Sequence, residues 1–381
     1  MTPQRGADRF RPSVLFLNNQ GLASIGGGPT ILRNLVHGLA QDFDITVLSY
    51  DPPAADIGGV RQVRIAPPPR FKSWRFHPLL RAKYLRDSIP LSEIAAADVV
   101  VALDPHFVRV LRAAKPRHLV YLSLSCVARQ EWFSARDASE ILFAVQYACL
   151  EHSVAKAADA VIVSSMTHGD ELRRYSWLSS VKPTVLYPVF GPAQEGLRKE
   201  SNQSVILLAA GRLTSVKNYG SIVAIASRLT DLDCKFVIAG DGGDLESLQD
   251  RVTSAGLGER IVFAGSTTDM RSRLASADIF VHPSYYESFG MAIFEAMCAG
   301  VPPVCSGTSV IGIRELLTRD TDSIFVDFDA PAEAADTLRG LIVDTERRKQ
   351  IGIAARATAE RILKYDYVAE FRKVLSVSGA I

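Results

Sequence analysis

Between Asp278 and Ser306 the chain sets two short apolar runs, Asp278-Ile279-Phe280-Val281-His282 and Pro303-Val304-Cys305-Ser306, on either side of a helical stretch. Short apolar runs of this kind read as buried strands, and the helix between them makes a parallel strand–helix–strand crossover. The helix carries its own punctuation. Ser288 is placed to cap its start, Gly300 sits where a left-handed stop is needed, and Pro302 prevents continuation. It therefore opens near Gly290, with free backbone N–H groups and a positive dipole end beside a residue that has no side chain. A phosphate would bind there. Glu287 lies in the loop just outside, and Glu295 lies more than a turn inside the helix. Either acid alone reads as solvated, since most acids are. Two carboxylates flanking an anion site make sense if both hold neutral hydroxyl groups, as a sugar and a ribose offer.

Strand and helix patterns alternate along the rest of the chain, which points to doubly wound parallel sheets. Strands are expected at 14–17, 45–49, 98–103, 119–122 and 160–164, with helices at 30–40 and 138–157 among those between them. Residues 187–202 then turn rich in Pro, Gly and charge and read as a linker. A second set of strands follows at 205–210, 235–239, 260–263, 278–281, 303–305 and 323–326. With 381 residues, 48% of them hydrophobic and 22% charged, the chain can build two cores without long disordered tails. A net charge of +2 gives no reason to expect nucleic acid as a partner.

Arg212 and Lys217 project from one loop, Gly211-Arg212-Leu213-Thr214-Ser215-Val216-Lys217-Asn218, directly after an apolar strand. Alone, such a pair reads as two solvated cations. At a strand end facing a cleft it can stabilise negative charge that builds up as a bond breaks. Arginine holds two oxygens at once, whereas lysine acts as a point charge.

The Glu287/Glu295 spacing and its surroundings resemble the E-x(7)-E motif of glycosyltransferase family 4, the retaining, nucleotide-sugar-dependent enzymes of the GT-B fold. Gly-Arg-Leu-x(3)-Lys-Asn adds to that likeness. The resemblance implies two Rossmann-like domains facing across a cleft: 1–190 on the acceptor side, 191–363 binding the nucleotide sugar, and a helix within 364–381 crossing back to the first domain. It implies that Glu287 contacts the donor sugar, that the backbone of Phe289, Gly290, Met291 and Ala292 approaches sugar and diphosphate, and that Glu295 binds the ribose. Arg212 and Lys217 would hold the diphosphate. Partners would be a nucleotide diphosphate sugar, GDP-mannose or a UDP-hexose, and a glycan or lipid-linked acceptor of cell-surface polysaccharide or glycolipid synthesis. No cofactor and no metal are expected. An epimerase of the same fold and a catalytically silent sugar-nucleotide-binding subunit stay open as alternatives.

Other segments are less specific. Ile25-Gly26-Gly27-Gly28-Pro29 follows the first strand; Gly27 and Gly28 let a ligand approach the backbone, but the spacing is not a dinucleotide fingerprint. Gly240-Asp241-Gly242-Gly243-Asp244 and Gly265-Ser266-Thr267-Thr268 end later strands, and the resemblance puts Asp241 beside the nucleotide base. Asp231/Asp233 and Asp327/Asp329 read as turn chemistry rather than metal ligands. The seven histidines show no ligand spacing. His106 would face the cleft as a substrate contact or be a helix-start residue without a role. Many members of that family carry a histidine at the end of the next strand, where this chain reads Tyr121-Leu122-Ser123-Leu124-Ser125-Cys126; Ser123, Ser125 or His106 would substitute. The five cysteines read as small buried residues in a reducing compartment, and no apolar run reaches membrane-spanning length. The expected location is cytoplasmic, including the inner face of the membrane. Residues 67–86, with six Lys/Arg and no acid, suit an anionic membrane surface, a phosphate-bearing acceptor, or local packing.

Overall fold

Apolar segments too short for helices become the strands of two parallel sheets, and the stretches between them supply the covering helices. The computed structural model describes residues 11–54, 57–66, 78–135, 137–191, 204–267 and 269–376. The first sheet contains β1 (Ser13–Leu17), β2 (Asp44–Ser49), β3 (Val60–Arg64), β4 (Val99–Ala102), β5 (Leu119–Leu122), β6 (Ala160–Val163) and β7 (Thr184–Val185). Their spatial order is β3-β2-β1-β4-β5-β6-β7. The second contains β8 (Val205–Ala210), β9 (Cys234–Ala239), β10 (Ile261–Gly265), β11 (Ile279–His282), β13 (Pro303–Ser306) and β15 (Ile324–Val326), in the order β10-β9-β8-β11-β13-β15. A separate parallel pair joins β12 (Tyr286–Glu287) to β14 (Val310–Ile311).

Both sheets reverse their winding at one place, between β1 and β4 and between β8 and β11. Ligands of such sheets sit outside the carboxyl ends at that point. The loop after β1 ends at Gly26, where a helix opens with Gly27 and Gly28; the loop after β8 carries Arg212 and Lys217, and the segment after β11 carries Glu287 in β12. Topology alone thus brings three separate motifs to two switch points.

Central strands are buried on both faces, as a helix-covered parallel sheet requires. The expected helix at 138–157 and the strands at 119–122 and 205–210 keep their bounds. Strand β3 departs from expectation because it is an edge strand of mixed polar sequence, with no residue buried. Four of the five cysteines are buried as expected, but Cys149 is exposed on the outer side of its helix; all five are free. Residues 67–77, 192–202 and Thr268, which the sequence reading used, lie outside the described residues.

The helix Tyr367–Leu375 packs on the first sheet, although it follows the second in sequence. Tyr367, Phe371 and Leu375 recur every four residues and join Val14, Phe16 and Leu35 in one core. Phe371 stacks on Phe16 with ring centres 6.5 Å apart, and Arg372 donates to Asp42 at 2.6 Å. This helix fastens residues 367–375 to the core of the first sheet. Replacing Phe371 with alanine should destabilise the protein by about 3–5 kcal/mol in urea unfolding. A loss below about 1 kcal/mol would show the helix to be dispensable.

Candidate functional site

The loop from Gly211 to Asn218 is held tightly against its neighbours. Leu213 donates to the carbonyl of Asp241 at 2.9 Å, and the amide of Asp244 donates to that of Leu213 at 3.1 Å. A Cβ added at Gly240 would lie 1.9 Å from the Gly211 carbonyl, so only glycine lets these loops meet. The Tyr285 amide donates to the Val216 carbonyl at 2.9 Å, fixing the loop that carries Lys217 to the one that carries Glu287.

Lys217 and Glu287 form an ion pair, their side chains 19% and 16% exposed. His282 Nε2 lies 2.9 Å from Glu287 Oε1, and Ser284 Oγ donates to the same oxygen at 3.4 Å. Lys217 also uses Oε1. Oε2 has no hydrogen-bond partner among the described residues. Burial would raise the Glu287 pKa, but the Lys217 ammonium and then His282 reverse the shift and hold the carboxyl well below the usual range. A permanently ionised carboxylate with one free oxygen is a strong acceptor for hydroxyl groups.

The helix Met291–Cys298 starts at Gly290, whose φ of 107° no other residue adopts easily, and no side chain caps it. This corrects the expected Ser288 cap: the Ser288 carbonyl instead accepts from Ser165 Oγ at 2.7 Å. The stop at Gly300 is as expected, with φ of 70°. Across the cleft, the helix Gly27–Leu39 begins three residues earlier than expected and is likewise uncapped at Gly26. Neither helix has an acid in its first turn. A Cβ on Gly27 would lie 3.7 Å from Met291 Cγ, and one on Gly28 would lie 3.3 Å from Leu124. The two bare helix starts therefore lie side by side at Gly27 and Met291, each offering backbone donors and a positive dipole end.

The remaining sequence candidates are placed as follows. Arg212 is exposed and carries no ion pair among the described residues. Asp241 is exposed and caps its own turn, accepting from Gly242 at 2.7 Å. The Phe289 ring is buried in the second core, which leaves only its backbone for a ligand. Met291 and Ala292 are half-buried. Asp231 pairs with Arg339, and Asp327 accepts from the Asp329 amide at 3.0 Å, so both acidic pairs act in turns and surface contacts. Among the described residues no three His, Cys, Asp or Glu side chains cluster as metal ligands.

His106 is only 2% exposed, so it does not open onto the cleft surface. Its Nδ1 lies 2.5 Å from Asp104 Oδ1, and its Nε2 is buried without a partner. Ser123 is fully buried and lies 3.2 Å from His168 Nε2, while Ser125 Oγ accepts from Gln130 at 2.5 Å. Two residues beside Glu287 went unremarked in the sequence, His282 and Ser284. His282 ends the buried strand β11 and Ser284 lies two positions beyond it, both within five positions of the acid, which is the signal that finds them.

Glu295 is half-buried and has no hydrogen-bond partner among the described residues, and burial pushes its carboxyl up to about 7. Its unfolded value is near 4.5, so the folded state retains a proton that the unfolded state loses, and stability falls as pH rises from about 4.5 through 7. Glu295→Gln should therefore melt higher than the unsubstituted protein at pH 8 and equally at pH 4.5 in ligand-free thermal scans. An equal difference at both pH values would contradict a proton held at this position.

Residues 194–358 match the model of the family described as glycosyl transferases group 1. Over 164 residues the chain is 30% identical to N-acetyl-alpha-D-glucosaminyl L-malate synthase of Bacillus anthracis, covering 42% of each. Over 259 residues it is 28% identical to alpha-maltose-1-phosphate synthase of Mycolicibacterium smegmatis, covering 59% of this chain and 66% of that one. These matches thus span 42% and 66% of the relatives' own lengths. The crystal structure of Anabaena HepE in complex with UDP and glucose superimposes with a TM-score of 0.74 at 19% identity, covering 97% of this chain and all of that one. The chain as a whole has the GT-B fold, and its second half, residues 194–358, matches the group 1 glycosyl transferases.

Proposed function

We propose that this protein is a retaining glycosyltransferase that moves a hexose from a nucleotide diphosphate sugar to a hydroxyl of a glycan or lipid-linked acceptor. The observation that carries the reading is the convergence, at the switch points of both sheets, of two uncapped helix starts and the Lys217–Glu287–His282 cluster. Bare amides and cations suit a diphosphate, and an ionised carboxylate with a free oxygen suits sugar hydroxyls.

In this reading the bond between C1 of the sugar and the β-phosphate oxygen breaks, and its electron pair stays on the phosphate. Lys217, Arg212 and the Gly290–Met291 backbone stabilise that growing charge, which is larger in the transition state than in the bound donor. The acceptor oxygen bonds to C1 on the face the phosphate leaves, and its proton passes to a phosphate oxygen. Glu287 orients the sugar through Oε2, and Glu295 takes the ribose hydroxyls. The phosphate-binding roles are filled by side chains and helix ends, so the reading requires no metal.

The relatives' names span different sugars and acceptors, so the nucleotide is best found directly. UDP is the first candidate, because it is bound in HepE; GDP-mannose is the second. Exposed Leu79 and Leu80 on the helix Pro78–Ser88, beside Lys83 and Arg86, suit an acceptor presented at the inner face of the cytoplasmic membrane. No described helix is long and apolar enough to cross a membrane.

Thermal-shift screening of UDP, GDP and ADP sugars should show one nucleotide raising the melting point, since it binds only the folded chain. With that nucleotide, Glu295→Ala should weaken binding roughly tenfold to a hundredfold in calorimetry. Lys217→Ala should lower kcat by about 100-fold or more while binding changes by less than about threefold. Unchanged kinetics in both variants would remove this assignment. Conversion of donor to an isomeric donor without any acceptor would point to an epimerase instead.

A further inference from the structure

Lys217 and Glu287 belong to the second half of the chain, yet each directly follows a residue buried in the first domain's core. Val216 and Tyr286 are 9% and 1% exposed and pack in the cluster built from β4, β5 and β6. Residues alternate sides along a strand, so when Tyr286 enters the first domain its neighbour Glu287 must face the other way. Tyr286 OH accepts a hydrogen bond from the Cys126 amide at 3.0 Å, 160 positions away in sequence.

The seat for this phenol is built with care. Cys126 precedes the helix Val127–Ser134, whose first amides are taken by the buried carboxylate of Glu151, at 2.6 Å to Val127 and 3.4 Å to Ala128. That leaves the Cys126 amide for Tyr286. Arg129, held by Glu171 at 2.6 Å, lies 5.8 Å from the Tyr286 ring centre. The far end of the same helix meets both loops again: Phe133 lies 4.7 Å from Tyr285, and Ser215 Oγ lies 3.4 Å from Ser134 Oγ.

We propose that Tyr286 is a positioning residue through which the first domain, by way of the helix Val127–Ser134, sets the relative placement of Lys217 and Glu287. Val216 is the matching contact on the lysine side. The two side chains are then properly aligned only while the domains are closed on each other, so closure over the acceptor and assembly of the donor machinery become one event. The proposal rests on the preceding reading for what Lys217 and Glu287 do, but not for how they are held.

Tyr286→Phe keeps the ring and its packing and removes the hydroxyl that accepts from the Cys126 amide and also bonds to Ser125. In hydrogen exchange of the full, ligand-free chain, it should speed exchange at 212–218 and at 126–130 by roughly fivefold, leaving β8 and β9 unchanged. Exchange altered only at 285–288, or raised uniformly over the molecule, would overturn the proposal. Val216→Ala should repeat the effect at 283–288. With UDP-glucose as donor, Tyr286→Phe should lower kcat about tenfold and leave KM within about twofold. A raised KM with unchanged kcat would likewise overturn it. If the unsubstituted protein neither binds nor turns over any sugar nucleotide, the functional reading falls, while the exchange result still decides the positioning role.

Discussion

A carboxylate taken out of water and held ionised by one lysine is the interaction on which the candidate site turns. Left alone, a buried Glu287 would take up a proton, and a neutral acid would be a poorer acceptor for sugar hydroxyls. Lys217 prevents that, and His282 and Ser284 add further contacts to the same oxygen. Such pairs often contribute little net stability, because desolvating both ions offsets their attraction. What the pair supplies is a charge of fixed sign and direction. Its position at the carboxyl edge of a parallel sheet, beside an uncapped helix, is what turns a packing solution into a candidate chemical site.

The two domains share the work of building that site. The second sheet presents the cation, the acid and the helix start, while the first presents the glycine turn and the seat for Tyr286. Other contacts reinforce the junction. Glu315 accepts from the Met166 and Thr167 amides at 3.0 and 3.1 Å, so a side chain of the second half caps a helix of the first. The C-terminal helix then returns to the first core through Phe371. A molecule joined at several separate places can change its cleft only by breaking identifiable contacts.

Much of this was legible beforehand, for reasons that differ by element. Central strands such as β5 and β8 announce themselves because burial on both faces demands unbroken apolar runs. The glycines at 290 and 300 mark backbone conformations that other residues resist, so the limits of the helix Met291–Cys298 could be read locally. Strand β3 was hidden because an edge strand needs no apolar face, and β12 and β14 because two residues carry no period. Ser288 looked like a cap, yet its loop is drawn toward Ser165, which lies 123 positions away. His106 looked like a cleft residue until Asp104 and the surrounding packing enclosed it. The role of Tyr286 could not be seen, since its partner is 160 positions distant and nothing near it in the sequence refers to that helix.

The central claim is that Lys217, Glu287 and the Gly290 amides together receive the donor's diphosphate and sugar. A crystal structure with bound UDP-glucose, or with the GDP sugar if screening favours it, tests this most directly. The account predicts the β-phosphate within hydrogen-bonding distance of Lys217 Nζ and a backbone amide at the start of the helix Met291–Cys298, with Glu287 Oε2 on a sugar hydroxyl. A diphosphate bound elsewhere, with the Lys217–Glu287 pair intact and untouched by the ligand, would contradict it.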